Sequence, residues 1–467
     1  MLNYEAVVVG GGPGGYECAI RLAQNGKKTA LIEEDKLGGT CLNRGCIPTK
    51  TLLHSADVYQ DAKNSAAFGV NVESVTFDYE KIIRRKNAVS AQLSSGVAFL
   101  EKSHGVDVIK AHAVMTGPHS MELSNGERLE ADNVILATGS VPARLPIPGI
   151  DLPGVVDSTG LLDMTICPKH IIIVGGGVIG IEFATFFSRV GVQVTVVEML
   201  DHILGPLDKD ITAWVEKRLR KTGVELILGV RVESIEEGLK VNYSAISDGT
   251  KGCAEGDVVL MAGGRKANTA GLGLENAGIA LNRKGFVEID DFCRTNVPGV
   301  YAIGDLNGRM QLAHVASAQG LLVADMIAGK SDRPLNYDHI PSCVYCKPEV
   351  AMVGLTEEQA RATGRNIGVG IFDLAGNGKA LSVGENEGIV KFVFDQDSDE
   401  ILGVHILGPR ATDLVAEVAA VMDCGGTIRT LGATVHPHPT VSEAVMEAAH
   451  ACHGNCVNAP KPRKPRV

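Results

Sequence analysis

The sequence holds no apolar run of the roughly 18 to 20 residues that a membrane-spanning helix needs. Its first residues, Met1 to Glu5, carry neither the basic segment nor the cleavage site of a secretory signal, so the chain is expected in the cytoplasm. Positive charge is in deficit: 44 Lys and Arg against 55 Asp and Glu leave a formal charge of −11. The basic footprint of a nucleic-acid-binding protein is therefore missing. A structural disulfide framework is missing too, because the 11 cysteines are odd in number and scattered through a long chain. In a reducing compartment most should be free and inert, and any disulfide should be catalytic. Glycine is plentiful, with 55 residues beside 45% hydrophobic and 21% charged residues, the balance of a soluble globular α/β protein. A length of 467 residues suggests about three domains.

The glycines are organised. An apolar run, Ala6 to Val9, leads into Gly10-Gly-Gly12-Pro-Gly-Gly15, a helical stretch from Tyr16 to about Gln24, and a strand from Thr29 ending at Glu33. The same device returns as Ile171 to Val174, Gly175-Gly-Gly177-Val-Ile-Gly180, a helix to about Arg189, and a strand from Val192 to Val197 ending at Glu198. In each copy the acid falls 23 residues after the first glycine (Gly10 to Glu33, Gly175 to Glu198). This is the dinucleotide-binding fingerprint in its βαβ setting. The first glycine permits the tight turn, the second lets a pyrophosphate approach the backbone, and the third lets helix and strand pack closely. The helix N-terminus then offers free N–H groups to the phosphates. A carboxylate at Glu198 accepts ribose hydroxyls and selects against a 2′-phosphate, and Met199 to Leu204 contain no arginine to hold one. The second site should therefore take NAD and not NADP.

Shortly after the first fingerprint lies Gly38-Gly39-Thr-Cys41-Leu-Asn-Arg-Gly-Cys46-Ile-Pro-Thr-Lys50. Two thiols beside a nucleotide site are best explained as a disulfide that gains and loses two electrons. With two nucleotide sites in the chain, this suggests FAD at the first and NAD at the second. Val300 to Asp305 reads as a buried strand closing on Gly304-Asp305, where an acid could hold a ribityl hydroxyl. Past about Tyr337 the pattern changes to a helix at Thr356–Ala362, strands at Val369–Leu374, Ile389–Phe394 and Ile401–Leu407, and helices at Ala411–Met422 and Val441–His450. That is an antiparallel sheet with helices. The fold class is thus α/β, with two Rossmann-like dinucleotide-binding domains and a C-terminal α+β interface domain. The expected division is 1–145 for FAD, 146–268 for NAD, 269–337 returning to the FAD domain, 338–457 for the interface, and a basic, disordered tail at 458–467.

Together, Gly10–Gly15, Gly39–Lys50, Ala137-Thr-Gly-Ser140, Gly175–Gly180 with Glu182, Gly304-Asp305 and His438-Pro-Thr-Val-Ser-Glu443 resemble the pyridine nucleotide–disulfide oxidoreductases, and among them the dihydrolipoyl dehydrogenases. The resemblance runs from about Tyr4 to Gly454. It implies oxidation of dihydrolipoyl groups with NAD+ through a redox-active disulfide, in a homodimer whose active sites are each completed by the partner chain. It places Gly10, Gly12 and Gly15 at the FAD pyrophosphate, Glu33 at the adenosine ribose, and Ala113 near the adenine. Thr138, Gly139 and Ser140 fall at the flavin nucleotide, Asp305 at the ribityl chain, and Gln311, Leu312, Ala313 and His314 under the flavin. Lys50 falls beside the flavin, paired with Glu182. Gly175, Gly177, Gly180, Glu182, Glu198 and Gly264 fall at NAD. The catalytic set is Cys41 toward the dithiol, Cys46 toward the flavin, His438 as base, and Glu443 as the group that orients it.

Some features depart from the pattern. Arg44 stands where related enzymes commonly have valine; it could lower a thiol pKa or simply face outward. His436 is read as a neighbour and not a second base. Cys343-Val-Tyr-Cys346 lacks a second ligand pair for zinc, and alternation along a strand would send its thiols to opposite faces. Cys452 and Cys456 leave an auxiliary redox or metal role open, while no metal site is expected. The chain begins at the flavin fingerprint, so a lipoylated partner (the E2 component of a 2-oxoacid dehydrogenase complex or the H protein of glycine cleavage) is expected as another polypeptide. The alternatives are another disulfide or metal reductase of the same superfamily, or a non-catalytic nucleotide-binding protein. The latter would have no need of Cys41, Cys46, His438 and Glu443 together.

Overall fold

The computed structural model describes residues 2–460. The first fingerprint folds as β1 (Leu2–Val9), α1 (Pro13–Gln24) and β2 (Thr29–Glu33). The helix starts earlier than the sequence pattern suggests. Gly12 is its extended N-cap and Pro13 its first residue, where proline gives up no hydrogen bond. The cysteine segment is helical on both sides of Gly45, as α2 (Gly39–Arg44) and α3 (Cys46–Asn64), and α4 (Tyr79–Ser103) follows. Strands β3 (Asp107–Lys110), β4 (Ala113–Gly117), β5 (Ser120–Leu123) and β6 (Arg128–Leu136) come next. The second fingerprint is β7 (His170–Val174), α5 (Val178–Arg189) and β8 (Gln193–Val197), followed by α6 (Lys209–Lys221) and β9 (Glu225–Ile227). Then come β10 (Val300–Ala302) and α7 (Ala313–Ile327). The last part holds β11 (Ser342–Val344), β12 (Glu349–Gly354), α8 (Glu357–Ala362), β13 (Ile367–Asp373), β14 (Ile389–Asp395), β15 (Ile401–Gly408), α9 (Ala411–Asp423) and α10 (Glu443–Ala451).

The described residues divide into two compact units: residues 2–169, 235–239 and 256–335, and residues 170–234, 240–255 and 336–460. In the first, the sheet order is β3-β2-β1-β6-β5-β4, with β10 also beside β6. Strands β1, β2, β3, β6 and β10 pair in parallel, and β5 joins antiparallel. The central strand explains the apolar run in the sequence. Ala6, Val7 and Val8 are fully buried, as expected for a parallel strand covered on both faces. Strands β2 and β6 flank β1 on either side, so the Gly10–Gly15 turn emerges where the strand order reverses, the position at which such sheets bind ligands.

In the second unit β9, β8 and β7 are parallel. Five antiparallel strands in the order β11-β12-β15-β14-β13 form a separate sheet. Phe392, Val404 and Ile406 on this sheet pack with Val415 and Val418 of α9 and Val445 and Ala448 of α10. The antiparallel sheet and its helices expected from the sequence are present, with ends shifted by one or two residues. Asn458 and Ala459, expected to belong to the tail, are held here: Asn458 Nδ2 donates to Glu447, and Ala459 packs on the core. Residues 461–467 of that tail lie outside the described residues.

Candidate active site

Both glycine turns have the geometry that a dinucleotide requires. Gly10 and Gly175 adopt φ of +106° and +118°. A Cβ on Gly15 would lie 1.8 Å from the Gly10 carbonyl, and one on Gly180 would lie 2.0 Å from that of Gly175. The third glycine is therefore obligatory in both copies. The two acids are held alike. Glu33 Oε2 accepts from Gly11 N at 2.6 Å and its Oε1 from Asp35 N at 2.7 Å. Glu198 accepts from Gly176 N, and from Leu200 N at 2.8 Å. Each carboxylate is thus fixed beside its turn with lone pairs left for ribose hydroxyls. These turns, acids and helix N-termini fit FAD in the first unit and NAD in the second.

The other residues assigned to FAD lie in the first unit. Ala113 opens β4 and is buried. Thr138 Oγ1 donates to Asn268 O at 2.8 Å, and Gly139 has φ of +69°. Ser140 Oγ donates to Asp305, which sits on a 3-10 turn just past β10. Arg265 completes this cluster, donating through Nε to Ser140 Oγ at 2.7 Å and lying 3.9 Å from Asp305. Sequence reasoning missed Arg265, although it directly follows Gly264 of the assigned set. Gln311 and Leu312 precede α7, with Leu312 as its N-cap, and Ala313 and His314 form its first turn. Gly264 lies just before Arg265 with φ of +109°. Glu182, in α5, is buried and accepts from Tyr345 N at 3.0 Å.

The redox cysteines occupy different helices. Cys41 lies within α2, and Cys46 is the first residue of α3, where free N–H groups and the helix dipole favour a thiolate. Both are thiols here and they share a hydrogen bond. That bond, burial and the neighbouring Cys46 charge raise the Cys41 pKa well above the usual thiol range, with Lys50 opposing. These contacts favour the protonated form of Cys41 in the reduced pair. Lys50 follows Cys46 by one turn of α3.

Two braces hold this segment. Asn43 Nδ2 donates to Leu37 O at 3.1 Å and Gly39 O at 3.0 Å. Ser94 Oγ of α4 lies 2.8 Å from Leu37 O and 3.0 Å from Asn43 Oδ1 and shares its one proton between these two acceptors. Asn43 stands between the cysteines and could have been singled out; nothing in the sequence marks Ser94. Arg44 pairs with Asp35, so its charge is largely met by a carboxylate.

The proposed acid–base pair lies in the second unit. His438 Nδ1 is 2.8 Å from Glu443 Oε1, while Glu443 Oε2 accepts from Thr440 N at 2.8 Å. Burial opposes the Glu443 charge, but the Thr440 and His438 hydrogen bonds prevail and hold its pKa below the usual range. The His438 side chain is 79% exposed in the single chain, open to a substrate or another subunit. His436 instead is buried, with Nε2 2.8 Å from Glu417 and Nδ1 near Thr434 O. It is a structural neighbour.

The remaining cysteines behave differently from the expected strand pair. Strand β11 ends at Val344, so Cys346 lies beyond it and strand alternation does not apply. Burial raises the Cys346 pKa beyond the normal thiol range, and its Sγ donates to Pro348 O at 3.1 Å. Cys452 and Cys456 are pushed up to about 12 and about 11, in both cases chiefly by burial. Among the described residues no group of three or more His, Cys, Asp or Glu could hold a metal.

Residues 4–320 match the model of the pyridine nucleotide-disulphide oxidoreductases, and residues 340–449 match the dimerisation domain of that family. The dihydrolipoyl dehydrogenase of Bacillus subtilis (strain 168) is 42% identical, the match covering 98% of this chain and 99% of that protein. The dihydrolipoyl dehydrogenase of Chlorobaculum parvum is 41% identical over 96% and 97% of the two chains. Among solved structures, LpdA from Mycobacterium tuberculosis has a TM-score of 0.88 at 29% identity, covering 96% of this chain and 99% of that one. The HOCl-induced flavoprotein disulfide reductase RclA from Escherichia coli has a TM-score of 0.85 at 33% identity, covering 95% and 98%. The dimerisation match supports a homodimer, and no helix among the described residues is long and apolar enough to cross a membrane. With the catalytic and the dimerisation parts both matched, the chain belongs to the pyridine nucleotide-disulphide oxidoreductases.

Proposed function

We propose that this protein oxidises dihydrolipoyl groups to lipoyl groups with NAD+ as acceptor, using FAD and the Cys41–Cys46 pair. The observation that carries this reading is the oriented His438–Glu443 pair in the same chain as a helix-start dithiol. The full-length likeness to dihydrolipoyl dehydrogenases supports the substrate class.

The chemistry starts from the Cys41–Cys46 disulfide. His438 takes the proton of one substrate thiol at Nε2, because its Nδ1 is engaged with Glu443. Glu443 stabilises the imidazolium that results. The substrate thiolate attacks Cys41 Sγ, forming a mixed disulfide and releasing Cys46 as a thiolate. The second substrate thiol, once deprotonated, attacks the substrate sulfur bonded to Cys41. This closes the lipoyl disulfide and releases Cys41, which takes up a proton. Bound FAD supplies the two-electron chemistry that connects the reduced pair to NAD+. Gly10, Gly12, Gly15, Glu33, Ala113, Thr138 to Ser140, Asp305 and Gln311 to His314 would hold FAD, and Lys50 with Glu182 would act beside it. Gly175, Gly177, Gly180, Glu182, Glu198 and Gly264 would hold NAD. We assign 1–145 and 269–337 to the FAD domain, 146–268 to the NAD domain and 338–457 to the interface. The substrate is a lipoylated protein, either E2 or the H protein of glycine cleavage. The base is supplied by the other protomer of the dimer, in the cytoplasm.

Purified yellow protein should oxidise dihydrolipoamide with NAD+, far more slowly with NADP+, and should leave glutathione disulfide unreduced. Absence of NAD+-linked dihydrolipoamide oxidation together with NAD(P)H-driven reduction of another disulfide would overturn the proposal in favour of a reductase resembling RclA.

A further inference from the structure

Strand β14 is buried along its whole length, yet its third residue is a lysine. Lys391 is 1% exposed, and its Nζ lies 2.9 Å from Asp208 Oδ1, 2.6 Å from Asp210 Oδ2 and 2.8 Å from Glu357 Oε2. Arg361 adds a second cation on Glu357 at 2.7 Å. His405, opposite Lys391 on β15, is fully buried, with Nε2 3.0 Å from Leu355 O and Nδ1 without a partner among the described residues. Burial lowers the His405 pKa, so it stays neutral and Lys391 is the buried cation of the cluster. A lysine desolvated this far persists only when charges of opposite sign surround it.

The carboxylate at its centre, Asp208, leads elsewhere. It caps α6, accepting from Asp210 N at 3.1 Å, and also accepts from Glu357 N at 3.1 Å. It closes the segment that begins at Glu198, the acid at the second nucleotide turn. Within that segment Leu204, at a φ of +53°, donates its N–H to Gly176 O at 2.9 Å. Ile203 N donates to Glu216 at 3.2 Å. The segment thus touches the glycine turn at Gly176, is anchored to that turn at Glu198, and is tied at its far end to the C-terminal sheet through Lys391.

We infer that Lys391 is a positioning residue for the pyridine nucleotide: by fixing Asp208 it holds residues 198–208 against the Gly175–Gly180 turn. The inference rests on NAD occupying the second fingerprint and is independent of the lipoyl substrate. Removing the tie lets the segment shift, and sub-ångström displacements at a binding site are costly.

The test uses the FAD-loaded dimer with three variants. Lys391→Met removes the cation. Asp208→Asn keeps the helix cap and leaves Asp210 and Glu357 to satisfy the lysine, so folding is preserved if the first variant is not tolerated. NADH affinity is measured by calorimetry, and flavin bleaching is followed separately with excess dihydrolipoamide. We expect at least ~10-fold weaker NADH binding, a matching rise in KM for NAD+, and an unchanged bleaching rate with dihydrolipoamide; Lys391→Arg recovers most of the affinity. Unchanged NADH affinity in the folded variants, or equal losses on the nucleotide and dithiol sides, would overturn the inference. If the wild-type protein fails to oxidise dihydrolipoamide, the NADH titrations still decide the role of Lys391, so the two readings fail separately.

Discussion

Replacing Glu101 with glutamine should stabilise this protein, and by more as the pH rises. Glu101 sits near the end of α4 with no exposed surface, and among the described residues neither carboxyl oxygen has a hydrogen-bond partner. Burial pushes its pKa from an ordinary 4.5 up to about 8. The folded state therefore holds this proton more tightly than the unfolded chain does. Stability linked to Glu101 is fully present below the unfolded value and is lost as the pH climbs through the folded one. At about 1.4 kcal/mol per pH unit, the loss approaches ~3 kcal/mol at pH 7 and ~5 kcal/mol above pH 9, as upper bounds that water penetration reduces. Glutamine has nearly the same shape and cannot ionise. The thermal midpoints of wild type and Glu101→Gln, both saturated with FAD, should nearly coincide at pH 5 and diverge by on the order of 5 °C at pH 8.5. A constant difference across that range, or a variant less stable at pH 8.5, would refute the reasoning, because it would mean that the buried carboxyl does not titrate in this interval.

The other predictions concern the site. His438→Gln should slow dihydrolipoamide oxidation by ~10²–10⁴-fold while leaving NADH-driven flavin reduction intact, as read by stopped-flow absorbance. Glu443→Gln should cost less, since the imidazole keeps its place but loses a fixed charge; the same assay ranks the two variants. Exchanging Glu198 for arginine should narrow or reverse the preference for NAD+ over NADP+, measured as the ratio of kcat/KM values. Ser94→Ala removes the one hydroxyl proton shared between Leu37 O and Asn43 Oδ1, worth about 1 kcal/mol. It should lower the thermal midpoint and raise the alkylation rate of Cys41 and Cys46 in reduced protein, read by mass spectrometry.

What the sequence determined alone was local. A strand, a glycine turn, a helix and a second strand ending in an acid fit within some 30 residues, so both fingerprints could be read with Glu33 and Glu198 in place. The same holds for the Cys41–Cys46 segment and for His438 with Glu443, five residues apart and joined across one turn. The strands and helices after Tyr337 were legible because their apolar periods are set by the pleat and the helical turn. Tertiary structure decided the rest. Ser94 reaches Asn43 across 51 residues, Arg265 reaches Ser140 across 125, and Lys391 reaches Asp208 across 183. No periodicity marks such residues, since their partners are chosen by which helices and sheets come together. Glu101 shows the limit most plainly. On its helix it resembles any surface acid, and only the packing that seals it from water gives its charge a cost.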